Sequence, residues 1–305
     1  MATALAGDAW PPLPLAAWWD TYATLHMWTQ IVGKTCVALA PPVNHWWHVA
    51  LRVTPRGLTT GPLPAGPVTF DVAFDFVDHQ LVVRTSGGAT RLMPLVAQSV
   101  ADFYRRYRAA LAELGITVKL WPVPVEVERA IPFADDREHA AYDPEYAQRC
   151  WRILVQADQV LQRFRGRFLG KSSPVHFFWG AFDLACTRFS GRPAPQHRGG
   201  IPNCPDYVMQ EAYSHECASC GFWPGGGVVT EPAFYAYAYP APPGYDAAAV
   251  PRPAFYSPEL GEFILPYDAV RGAQRPQEML LEFLQGTYAA AADLARWDRR
   301  ALERS

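Results

Sequence analysis

Charge is scarce in this chain: Asp, Glu, Lys and Arg make up 18% of 305 residues, below the usual quarter. The signs nearly cancel, with 27 Lys and Arg against 29 Asp and Glu and a net charge of -2. That balance excludes the basic footprint of a dedicated nucleic-acid binder. No apolar run reaches the 18 residues that a membrane span needs. Met1 to Trp10 lacks a basic stretch followed by an apolar one, so a cytoplasmic setting is expected. No G-x-x-x-x-G-K-[ST] loop and no G-x-S-x-G elbow occurs, and Gly225 to Gly227 do not open a helix after a strand. A disordered chain, a coiled coil and a helical solenoid are excluded by composition.

What is present is bulk and rings. Half of the residues are hydrophobic, with 11 Trp, 14 Tyr, 29 Pro and 22 Gly. The length suits one large domain or two ordinary ones, and a core of this size needs no disulfides, so the six cysteines are expected as reduced thiols. Trp18, Trp19, Tyr22, Leu25, Trp28 and Ile31 recur at helical spacing and predict a helix from Ala16 to Val32, stopped by Gly33. Strands are expected at His48 to Val53, Val68 to Phe76, Gln80 to Thr85 and Arg91 to Leu95. Phe70, Val72, Phe74 and Phe76 alternate with polar or small residues, the period of a half-buried strand. Ser99 caps a second helix that Gly115 closes, and Ile116 to Val127 reads as an edge strand. Further helices are expected at Pro144 to Leu169 and Pro276 to Leu294, with strands at Phe234 to Tyr239 and Glu262 to Pro266. The fold predicted is α+β, with antiparallel sheets covered by helices.

An internal duplication is also expected. Without gaps, His45 to Pro64 and His176 to Pro195 share His45 with His176, Ala50 with Ala181, Pro62 with Pro193 and Pro64 with Pro195. Residues 1–140 and 141–305 would then be two halves related by a pseudo-two-fold axis, or parts of one compact domain. The second half carries a long loop, 191–231, between its first strands; loops of that length usually serve a function.

This loop holds the candidate chemistry. A short helix after Pro205 would place Glu211 and His215 on one face, four residues apart. A carboxylate and an imidazole there suit Zn or non-haem Fe. With His176 as third donor, the candidate metal ligands are His176, His215 and Glu211; the plainer alternative is a surface ion pair. Tyr213 and Glu216 complete the candidate catalytic group. His45, Trp46, His48, Trp179, Arg188 and Trp223 are the expected substrate contacts, with Trp47 and Phe222 adding apolar wall. Counting along one strand from His176 puts Arg188 on its face and Asp183 on the opposite one. Cys217 and Cys220, with Cys204, form an incomplete zinc pattern, and buried thiols are the simpler reading.

The segments Asn44–His48, Ser173–Leu184, Thr187–Arg192, Glu211–Glu216 and Gly221–Gly225 resemble an uncharacterised bacterial family, domain of unknown function 5996, over nearly the whole chain. The resemblance implies that the motif histidines, Glu211 and Glu216 belong to a family pattern, and that cysteine at Cys204, Cys217 and Cys220 does not. It implies no activity. The expected function is an enzyme acting on a small organic molecule in an aromatic pocket, using a divalent metal or acid–base residues. The alternatives are a non-catalytic binding protein and a dimerisation module. Neither nucleic acid nor membrane is expected as partner, and oligomeric state is left open.

Overall fold

A computed structural model describes residues 8–304. The first helix, α1 (Leu15–Leu39), is buried along most of its length. It runs straight through Gly33 instead of stopping there. Gly33 is a packing glycine: a Cβ at this position would lie 2.1 Å from the indole nitrogen of Trp179. The missing side chain lets that ring lie flat on the helix, where its Nε1 donates to the Val49 carbonyl at 2.8 Å.

Six short strands follow: β1 (Arg52–Thr54), β2 (Gly57–Thr59), β3 (Leu63–Ala65), β4 (Val68–Asp75), β5 (Gln80–Thr85) and β6 (Thr90–Pro94). They form an antiparallel sheet in the order β1-β2-β4-β5-β6, with β3 paired to β4. The expected alternation holds, because Phe70, Val72 and Phe74 turn inward. There Phe74 packs with Phe103 of α2 (Val100–Glu113). The Ser99 hydroxyl accepts from the Asp102 N–H at 3.1 Å, which satisfies one of the free amides at the start of α2. Ile116 to Val127 forms no strand. Pro122 and Pro124 remove two ladder donors, and the neighbouring backbone bonds elsewhere. Val125 N–H donates to the Gln30 side chain at 2.8 Å, and Glu126 N–H donates to Pro202 O at 2.8 Å.

The long helix α3 (Pro144–Gly166), capped by Asp143, leads into the second sheet. Its strands are β7 (His176–Phe178), β8 (Asp183–Pro193), β9 (His215–Trp223), β10 (Ala233–Tyr239), β11 (Phe255–Ser257) and β12 (Glu262–Pro266). All pairings are antiparallel, in the order β11-β12-β10-β9-β8-β7. A short helix, α4 (Asp206–Ala212), precedes β9, and α5 (Tyr267–Arg271), α6 (Pro276–Leu294) and α7 (Arg299–Leu302) end the chain. The stretch expected as a long loop therefore contains an inner strand of the sheet. Cys217 to Phe222 are buried on both sides, so β9 lacks the apolar–polar alternation that would have marked it.

One side of this sheet packs on helices. Leu184, Cys186, Cys220, Phe222, Phe234 and Ala236 join the apolar cluster that also contains Phe164 of α3 and Leu284 of α6. That cluster is continuous across the chain and includes Trp28, Phe74 and Phe177. Each such ring contributes about 1.5–3 kcal/mol when withdrawn from water. Leu51 and Phe177 exchange both backbone hydrogen bonds at 2.8 Å and join the two sheets. The paired positions of the expected duplication are not alike locally. His45 lies in a 3-10 turn (Asn44–Trp46) with φ +57°, whereas His176 lies in strand β7. No helix among the described residues is long and apolar enough to cross a membrane.

Candidate functional site

The other side of the second sheet is polar and aromatic. Registers across β7 to β12 place Phe178, Asp183, Gly221, Tyr235 and Ile264 on it, with Ser219, Tyr237 and Glu262 one step along. Tyr235 lies across the neighbouring strand to reach Asp183. A Cβ on Gly221 would lie 2.6 Å from the Tyr235 hydroxyl, so glycine here makes room for the hydrogen bond that this hydroxyl donates to Asp183 Oδ2. The Tyr213 and Tyr237 hydroxyls meet at 2.6 Å.

Glu126 faces this surface from the irregular segment after α2. Its backbone is left-handed, with φ +59°, a conformation that costs a non-glycine residue energy and is common at functional sites. Three contacts over-determine it. Gln30 of α1 donates to and accepts from Val125 at 2.8 Å. Pro202 O accepts from Glu126 N–H, and Asn203 Nδ2 donates to Val127 O at 2.8 Å. The carboxyl lies on the backbone of Gly180, where a Cβ would be 2.0 Å from its Oε1. His26 of α1, bonded to Gly180 O at 2.8 Å, completes this wall.

Glu126, Asp183 and Glu262 are thus three acids with no cationic partner among the described residues. Burial, with repulsion from Asp183, pushes Glu126 and Glu262 each up to about 7. Burial raises Asp183 to about 6, opposed by the Tyr235 hydrogen bond. Glu126 is nevertheless exposed to solvent. Its carboxyl lies against Gly180 while the residue stays open to water, so Glu126 edges the recess over this face. The aromatic rim of the recess includes Tyr22, which packs edge-on to Phe182 at 5.0 Å, and Trp223, which neighbours Trp19 across Gly226. A separate surface groove of about 490 Å³ lies by α2, lined by Tyr104, Arg105, Arg108 and Arg137, and holds none of these acids.

The sequence-predicted residues are divided. Glu211 and His215 do not share a helix face, because α4 ends at Ala212 and His215 opens β9. Glu211 is exposed. His176 is fully buried, with both ring nitrogens unpartnered among the described residues, and burial lowers it to about 3. Among the described residues no three His, Cys, Asp or Glu side chains assemble to hold a metal ion, so His176, His215 and Glu211 do not fit the expected metal. Cys217 and Cys220 point to opposite faces of β9 and cannot share one either. Glu216 turns outward to Ser190 and Arg192, at 2.9 and 2.8 Å.

Arg188 and Asp183 exchange the faces expected of them. The chain turns between β7 and β8, and His176 pairs with Ala185, so parity counted straight through this hairpin inverts. Arg188 points to the helices, fully buried. Its guanidinium stands 3.5 Å from the ring centre of Phe164 and 4.2 Å from that of Tyr288, and it donates to Phe164 O. Asp183 joins the recess, as do Tyr213 and Trp223.

A second cluster gathers His45 and His215, whose ring centres are 5.8 Å apart. His45 Nδ1–H donates to Ala212 O at 2.9 Å, which leaves Nε2 to accept from the Lys171 ammonium at 2.6 Å. Burial and the Lys171 charge lower its pKa. Trp47 stands between His45 and His176, at 5.1 and 6.5 Å. Trp46 stacks with His48 at 5.4 Å, and Trp179 is buried under α1. These contacts read as packing.

Glu126, Glu262 and His26 carry no local pattern that marks them as functional. Tyr235, Tyr237 and Tyr239 on alternate positions were the available signal, since three tyrosines on one face of an inner strand need polar neighbours. The chain belongs to the family of unknown function DUF5996, whose profile matches residues 10–304. No curated protein and no solved structure matches it.

Proposed function

We propose that this protein is an enzyme acting on a small organic molecule in the recess between α1 and the tyrosine face of the second sheet. One observation carries the reading: Glu126, Asp183 and Glu262 lie near enough for Asp183 to act on both glutamates, have no cationic partner among the described residues, and are raised to between about 6 and 7. An acid with a pKa near ambient pH both gives and takes protons, and general acid–base catalysis contributes about 10²- to 10⁴-fold. Differently placed carboxyls around one recess provide a protonated donor and an ionised acceptor together. Tyr213 and Tyr237 offer hydroxyls to orient a substrate, and Trp19, Tyr22 and Trp223 offer apolar wall.

Turnover tests this. The protein is incubated with pooled polar metabolites, and their consumption is followed by mass spectrometry. The wild type should consume at least one component, and Asp183→Asn should slow that reaction by about 100-fold. A component that binds the wild type but is not converted would favour a non-catalytic binding protein instead.

A further inference from the structure

Arginine outnumbers lysine 24 to 3 in this chain. What lysine does that arginine cannot is give up its proton within the ordinary pH range. Lys119 and Lys171 are exposed. Lys34, in the buried part of α1, is 5% exposed.

The preceding residue is Gly33, on which Trp179 lies, and the Lys34 ammonium is 5.7 Å from the centre of that indole. No hydrogen bond or ion pair holds it among the described residues; its surroundings act through burial, with a small effect from the Cys204 thiol. A largely buried ammonium without a partner costs up to several kcal/mol, and one cation–π contact returns about 0.5–2. Shedding the proton removes the cost, and burial accordingly lowers the pKa to about 8. Lys34 also continues a functional wall. His26, Gln30 and Lys34 are spaced by four and share one face of α1. The first two position Gly180 and Val125 around Glu126.

We infer that Lys34 is an amine nucleophile that condenses with a small aldehyde or ketone to form an imine. This rests on the surroundings of Lys34 and stands independently of the acid–base role given to the carboxyls. The Nζ lone pair adds to the carbonyl carbon, and the carbonyl oxygen takes up a proton to give a carbinolamine. Water then leaves with that oxygen, and loss of the remaining N–H proton gives the imine. The C=O bond and two N–H bonds are exchanged for C=N and water, without oxidant or reductant.

Reductive trapping tests it on the intact wild-type chain, so no variant needs to fold. Acetaldehyde and cyanoborohydride are added at pH 7, the reagent supplying hydride to the iminium carbon. Alkylation at the three lysines is then mapped by mass spectrometry, with the urea-unfolded chain as reference. At pH 7 an amine titrating at about 8 is about one-tenth neutral, against about 0.03% for one at the ordinary 10.5. Lower basicity and burial return part of that advantage. Lys34 should react at least about tenfold faster than Lys119, with a rate that climbs through pH 8 and levels above about 9. A smaller ratio in the folded chain, or a Lys34 rate that keeps climbing in parallel with Lys119, overturns the inference.

Discussion

Replacing Asp183 by Asn removes one ionisable group and leaves an amide of nearly the same shape, with an oxygen that can still accept from Tyr235. In the folded chain this carboxyl titrates at about 6 instead of the ordinary 3.8, so the native state holds its proton more tightly than the unfolded one. The stability it contributes is complete below about pH 3.8 and is lost as the pH rises through about 6. Asp183 is 9% exposed, so screening by water is slight. A shift of about two units is worth about 3 kcal/mol. By pH 4.5 about 1 kcal/mol of that is already lost, and by pH 7.5 nearly all of it. The asparagine variant should therefore gain about 2 kcal/mol on the wild type between these two pH values. For a chain of this length that is roughly 3 °C in melting temperature. Urea unfolding at pH 4.5, 5.5, 6.5 and 7.5 measures it. A weaker Tyr235 hydrogen bond would add a constant offset, which does not affect the difference. Parallel curves for the two proteins, within about 0.5 kcal/mol, would refute the raised pKa and with it the reasoning about the recess.

Gly33→Ala should destabilise the protein by about 2 kcal/mol although alanine is the better helix former, because its Cβ would meet the buried Trp179 ring; thermal melting decides, and a gain in stability would show an ordinary helix glycine. Arg188 sits in a cage of Phe164, Phe168 and Tyr288 and makes no direct ion pair among the described residues, with Glu303 acting on it from further away. Arg188→Met should thus stay within about 1 kcal/mol of the wild type, and Arg188→Ala should lose about 3. Urea midpoints separate the two, and an equal loss in both would mean that the charge itself is needed.

The elements with local signals were legible from sequence. β5, β12 and α6 lie where periodicity placed them, and Ser99 caps its helix as its chemistry predicts. What failed depended on contacts distant in sequence. Gly33 reads locally as a helix stop, and its real partner is Trp179, 146 residues later. β9 is buried on both faces and has no period to detect. Asp183 lies on the face of His176 because strand parity does not carry through the hairpin between them. Glu126 belongs to no regular element; Gln30, Pro202 and Asn203 fix its position from two other segments. Glu211 and His215 show the opposite error, in which a convincing spacing dissolves because the helix ends between them.

The recess stands or falls on how its acids titrate. Carbon-detected NMR of selectively labelled side-chain carboxyls, assigned with Glu126→Gln, Asp183→Asn and Glu262→Gln, measures each midpoint in the folded protein. The account predicts Glu126 and Glu262 near 7 and Asp183 near 6. It also predicts that both glutamates shift downward when Asp183 is replaced, since its charge helps to hold them up. Midpoints near 4 for all three, unmoved by that substitution, would contradict it.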